Sequence, residues 1–131
     1  MNISHSDPQI INYLSKLAPG LCIECDPANY IDNFILANGI WEPLVVTALK
    51  VLIQPGSICV DAGANAGYLS LVMGRFAGPA GRVISFKPNR ELITKFIRNM
   101  SLNPDLERTI ELHTTGLGKE TSKMFVSPDQ G

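Results

Sequence analysis

The chain has little of several things, and each shortage excludes something. Only two of its 131 residues are histidine, His5 and His113, and only three are cysteine, Cys22, Cys25 and Cys59. Cys22-Ile23-Glu24-Cys25 has the C-x-x-C form, but a structural zinc site needs a second ligand pair and none is present. In an extended segment residues three apart point to opposite faces, so this pair is poorly placed to grip one ion. No metal is expected, and an odd set of thiols reads as reduced and cytoplasmic. Cys59, inside an apolar run, reads as a small buried hydrophobe. Charge of one sign is also missing. The formal net charge is −1, and Lys and Arg are scattered, which argues against nucleic acid as a partner. No apolar run approaches bilayer length, since the richest, Leu44 to Ile53, is broken by Thr47 and Lys50. Met1 to Gln9 lacks a basic region followed by an apolar core, so neither a secretory signal nor a membrane role is expected. There is no Ser/Gly linker, internal repeat or low-complexity tract, and the length suits one domain with a small core.

What the chain does have is a strand, a glycine turn and a helix start in direct succession. The apolar stretch Ile58-Cys59-Val60 leads into Asp61-Ala62-Gly63-Ala64-Asn65-Ala66-Gly67-Tyr68, and an amphipathic stretch runs from Leu69 to Phe76. Glycines let a ligand approach the backbone, and free N–H groups at a helix start favour polar or anionic atoms. Asp61 at the strand end distinguishes the site from a plain phosphate cradle, because a carboxylate accepts hydrogen bonds from amino or hydroxyl groups and suits a cationic ligand. S-adenosylmethionine carries both a sulfonium and an ammonium group, so a methyl-donor site is the first reading.

The rest of the pattern is alternating α and β. Ile10, Ile11, Leu14 and Leu17 recur at helical spacing before Pro19-Gly20, which predicts a short N-terminal helix. Leu21 to Cys25 and Tyr30 to Ile35 flank the turn signal Asp26-Pro27-Ala28-Asn29, which predicts a hairpin. Trp41-Glu42-Pro43 opens a helix with Leu44, Val45, Ala48, Leu49 and Leu52 on one face, stopped by Gln54-Pro55-Gly56. From residue 57 onward strands and helices alternate, as a parallel sheet with crossover helices requires. The strands are Ile58 to Val60, apolar throughout and expected to be central, then Arg82 to Phe86, then Thr109 to Thr114, whose alternation suits an edge. Tyr68 to Phe76 and about Asn89 to Leu102 are the helices, the second with Leu92, Ile93, Phe96, Ile97 and Met100 as its buried stripe. A short strand, Lys123 to Val126, closes the series.

Taken together, Trp41-Glu42-Pro43, Pro55-Gly56, Asp61 to Tyr68, Gly81-Arg82-Val83-Ile84-Ser85-Phe86, Pro88-Asn89, Asn99 and Leu102-Asn103 resemble the FkbM-type S-adenosylmethionine-dependent methyltransferases. The likeness covers roughly residues 40 to 120. It implies an α/β fold, a Rossmann-like class I methyltransferase sheet of which strands 3-2-1 are present. A predicted N-terminal extension of residues 1–40, helix plus hairpin, precedes a partial S-adenosylmethionine-binding domain of residues 41–131. It implies O-methyl transfer to a small-molecule or sugar hydroxyl, with Asp61, Gly63, Asn65 and Gly67 lining the methionine end of the cofactor. Glu42 sits where the family keeps an acid, either near the methionine carboxylate side of the pocket or as a helix-start carboxylate favoured by the dipole. Trp41 and Tyr68 shield the site or belong to the core.

Two departures stand out. Where the family has Glu at the end of the second strand, accepting both ribose hydroxyls, this chain has Lys87, which offers donors only. The family architecture is also longer, so a strand is expected from elsewhere to cover the far side of Ile58 to Val60, through a homo-oligomer or a partner chain. No residue is assigned as catalytic; His113, inside the third strand, reads as structural. Two other readings stay open: a methyltransferase-like fragment or interaction module without turnover, and an NADP-binding oxidoreductase fragment in which Lys87 and Arg90 meet the 2′-phosphate. The loop lacks the G-x-G-x-x-G form the last requires.

Overall fold

A computed structural model describes residues 7–13, 17–87 and 89–115. Strands β1 (Gln9–Asn12) and β2 (Cys22–Cys25) form an antiparallel pair with Ile11 opposite Ile23. The helix expected around Ile10 and Ile11 is therefore a strand. Two adjacent β-branched side chains favour the extended backbone, and the Tyr13 N–H closes the hairpin onto the Leu21 carbonyl at 2.7 Å. The second correction follows from the first. Tyr30 to Ile35, expected to pair with β2, belongs to helix α1 (Tyr30–Asn38). Its N-cap is Asn29, whose side chain accepts from the Asp32 N–H at 3.1 Å, and Gly39 ends it at φ 77°.

Helix α2 (Pro43–Leu52) starts with proline, which is preset for a first turn. Of its expected apolar face only Leu49 packs against the core; Val46 is the buried residue, while Leu44 is 86% exposed and Val51 and Leu52 also face outward. Strand β3 (Ile58–Ala62), helix α3 (Tyr68–Ala77), strand β4 (Arg82–Phe86), helix α4 (Arg90–Ser101) and strand β5 (Ile110–His113) build a parallel sheet in the order β3-β4-β5. Among the described residues β3 pairs with β4 alone, so the strand expected to be central stands at an edge, with Ile58 73% and Val60 60% exposed. Its alternate residues turn the other way, and Asp61 bonds to Ser70 of α3.

Asn89 caps α4, accepting from the N–H groups of Glu91 and Leu92. Of the stripe expected on this helix, Phe96 is fully buried, Leu92, Ile93 and Met100 are half-buried, and Ile97 is exposed; Asn99 is buried instead. One apolar core runs through both segments, joining Tyr13, Leu21, Ile23 and Ile35 to Tyr68, Leu71, Val72, Val83 and Phe96. No single described helix is long and apolar enough to cross a membrane. Lys123 to Val126 lies outside the described residues.

Candidate functional site

At the end of β3 the chain makes a tight bend through Gly63, Asn65 and Gly67, all at positive φ (74°, 53° and 91°). The bend is tied to β4, because the N–H groups of Gly63 and Ala64 both donate to the Phe86 carbonyl, at 3.0 and 3.1 Å. Helix α3 then begins at Tyr68 with no side chain capping its first turn. Beside the bend lies a cleft of about 110 Å³, lined by Trp41, Glu42, Asp61, Gly63, Ala64, Asn65, Tyr68 and Leu69.

Four of the six residues assigned to the cofactor site meet here, with Trp41 and Tyr68 beside them. Asp61 closes the cleft floor, its Oδ2 accepting from Ser70 Oγ at 2.5 Å, and Ser70 in turn lies 2.7 Å from Ser85 Oγ. Burial pushes its carboxyl above the usual carboxylate range, opposed by the Ser70 hydrogen bond and then by the Lys87 charge. Gly63 is open, with no atom within 4 Å of the place a Cβ would take. Asn65 holds the left-handed conformation that asparagine tolerates better than most residues. Glu42 is also left-handed, at φ 52°, and makes no side-chain cap. Its carboxylate thus borders the cleft and does not close the helix end by hydrogen bonding.

The other two stand apart from the lining. Gly67 is buried with its α-carbon against the Phe96 ring; a Cβ there would come within 2.9–3.1 Å of three ring atoms. Its bare backbone serves packing between the bend and α4. Lys87, one residue past β4, is 2% exposed. Burial pulls its pKa down, and the Asp61 carboxylate opposes that pull. His113 does not line the cleft: its ring stacks on Phe86 with centroids 5.0 Å apart, and Nε2 lies 3.0 Å from Glu111. The Cys25 thiol is quiet. Burial first, and the Asp32 charge second, push Cys25 up to about 12, and such a thiol is a poor nucleophile.

Sequence reading missed a second tier of polar groups behind the cleft. Asp32, fully buried in α1, accepts from the Tyr68 hydroxyl, from Lys95 Nζ at 2.8 Å and from the Asp26 N–H at 2.9 Å. Asn99 accepts from the Glu24 N–H at 2.9 Å and donates to the Ala66 carbonyl at 3.0 Å. Asn103 takes both the N–H and the carbonyl of Cys22, at 2.8 and 2.6 Å. Asn99 lies on α4 and Asn103 two residues past its end; both belong to the motif series read from the sequence, which gives neither a role.

Three parallel strands, two crossover helices and a ligand-sized bend at a strand's C-terminal end match known architecture. A methyltransferase from Geobacter sulfurreducens superposes with a TM-score of 0.53 at 20% identity, over 66% of this chain and 47% of that one. An S-adenosylmethionine-dependent O-methyltransferase from Thermotoga maritima gives 0.52 at 18%, over 66% and 34%. Over that stretch the chain has a Rossmann-like α/β fold, shared with these methyltransferases. A Pyrococcus horikoshii protein provisionally named a transferase extends the likeness over 85% of this chain and 37% of its own, at 16% identity and a TM-score of 0.58. The chain thus spans about a third to a half of the length of these proteins. Neither a family model nor a curated protein matches it.

Proposed function

We propose that this chain is the donor-binding half of an S-adenosylmethionine-dependent methyltransferase of FkbM type. It serves O-methyl transfer to a small-molecule or sugar hydroxyl, in the cytoplasm. The observation that carries the reading is the bend itself: an acid at a strand end, an open glycine and an uncapped helix start facing one polar-lined cleft. That donor set suits the zwitterionic, sulfonium-bearing end of the cofactor. Asp61, Gly63 and Asn65 hold the methionine end and Glu42 borders it, while Gly67 shapes the bend from behind. The bound cofactor supplies an already activated methyl group. What the chain contributes is alignment and a partly dehydrated carboxylate. A volume of about 110 Å³ is below the roughly 300–1,000 Å³ of a complete small-molecule site, which fits one end of the ligand and not its whole length.

Lys87 occupies the position where the FkbM resemblance calls for a ribose-binding acid. Restoring two charged hydrogen bonds, at roughly 1.5–3 kcal/mol each, corresponds to about two orders of magnitude or more in affinity. Calorimetric titration with S-adenosylmethionine, its demethylated product and NADP tests both points. Binding of the first two and not the third is expected, with tightening in Lys87→Glu; unchanged or weaker binding in that variant overturns the ribose assignment. The second reading, a methyltransferase-like chain that keeps the fold without turnover, is favoured by the buried Lys87. Silence with all three ligands would select it. The exposed edge of β3 is where a further strand, from a second copy or a partner, completes the sheet.

A further inference from the structure

We infer that Asp32 and Asn99 are positioning residues for the glycine bend, so that the N-terminal segment is a working part of the cleft and not an appendage to it. The inference rests on reading the cleft as the donor site.

The bend does not hold its own shape. Three of its five residues, Gly63, Asn65 and Gly67, have left-handed backbones, and such conformations persist only where the surroundings over-determine them. Its entry is fixed by the two N–H bonds to the Phe86 carbonyl, and Gly67 N–H returns to Ala64 within the bend. The Ala66 carbonyl and the Tyr68 side chain remain, and each is taken by a group from outside. Asn99 Nδ2 donates to Ala66. That amide cannot turn over, because its Oδ1 is held by the Glu24 N–H of β2. The Tyr68 hydroxyl donates to Asp32 Oδ1, while Oδ2 is fixed by Lys95 and the Asp26 N–H. Tyr68 lines the cleft; Asp32 and Asn99 do not. They act through their neighbours, and both are fully or almost fully buried, as are Tyr68 and Ala66, so the groups they hold at the bend have no water to fall back on.

A bend held from β2 and α1 has a defined cleft wall only while those elements are docked. Asp32→Asn, Tyr68→Phe and the double variant form the test, with Ile110→Val, a core truncation in β5 away from the network, as a destabilised control. Two readouts are taken: affinity for S-adenosylmethionine, and hydrogen exchange of the ligand-free protein at residues 63–69. Each single variant is expected to weaken binding about tenfold. The double variant should be no worse than either, and exchange should rise at the bend before it rises in β4. Ile110→Val should lower the melting temperature and leave affinity in place. Affinity that falls with melting temperature alike in all four variants, or exchange at the bend unchanged from wild type, overturns the inference. If the wild-type chain binds no S-adenosylmethionine, the functional reading fails on its own. The exchange arm still decides whether Asp32 and Tyr68 hold the bend.

Discussion

Replacing Gly67 with alanine separates two roles that a glycine in this motif can play. If its bare backbone admits a ligand, Gly67→Ala should leave the fold intact and impair binding. The structure assigns it to packing, with Phe96 ring atoms at 2.9, 3.0 and 3.1 Å from the new Cβ. Two costs add. A left-handed backbone at an L-residue costs about 1–2 kcal/mol, and forcing a carbon into a filled space costs roughly 1–3 kcal/mol more. The expected loss of about 2–5 kcal/mol is a large part of the roughly 5–15 kcal/mol that holds a domain together. Gly63→Ala is the matched control, since its φ of 74° carries the backbone cost and the space around it is open. That variant should lose only about 1–2 kcal/mol. Urea unfolding followed by circular dichroism measures both. Adding Phe96→Leu to Gly67→Ala should cost less than the sum of the singles, because the smaller side chain removes the clash. Equal losses in Gly63→Ala and Gly67→Ala, within about 0.5 kcal/mol, would refute the packing assignment.

Further outcomes follow from the same geometry. Asp61→Asn should raise the melting temperature near pH 7 while weakening donor binding. Burial lifts the wild-type carboxyl above its unfolded value, so the folded state binds more protons and the wild type recovers as pH falls through that raised value. The gap between the two proteins should therefore close on acidification, and a gap that widens would contradict the sign. Asn103→Ala strips the Cys22 N–H and carbonyl of their partner and should cost about 1–3 kcal/mol, with faster exchange in β1 and β2 ahead of β4; uniform exchange would count against it. Ile58→Lys with Val60→Lys should abolish any self-association seen by sedimentation and leave donor affinity unchanged, since both side chains point away from α3; persistent association would clear β3 of the role.

The parallel half of the molecule was legible because its signals agree with one another. Ile58 to Val60, Arg82 to Phe86 and the helix capped by Asn89 are each set by local pattern and by what they pack on. The N-terminal segment was read wrongly because short apolar runs fit two periods. Ile10 and Ile11 satisfy helical spacing with Leu14 and Leu17, yet pair with β2. Tyr30 to Ile35 is rich in strand formers, but Asn29 with Asp32 three residues on, then Gly39, spells a helix with both ends marked. The bend was visible at Asp61, Gly63 and Asn65. The supports behind it were not, because Asp32 and Asn99 are polar residues on helices. Nothing local says that such side chains face inward.

The edge position of β3 and the small cleft have one physical origin. In doubly wound sheets a ligand sits outside the strand ends at the point where strand order reverses, between two walls. Among the described residues the strand that carries Asp61 is the last one on its side, and the cleft is bounded by the bend, the start of α3 and the pair Trp41 and Glu42. On the proposed reading, so small a cleft suffices for hydrogen bonds to a donor's polar end. It is not enough to exclude water from a reacting oxygen, and displacement at a methyl group depends on that exclusion and on alignment. Ile58 and Val60 on this strand are exposed, as are Leu44 and Leu52 of α2. A strand added beside β3 would pair its free edge and bury Ile58 and Val60 together. On the proposed reading, donor binding belongs to the part described here and transfer depends on a further element over β3.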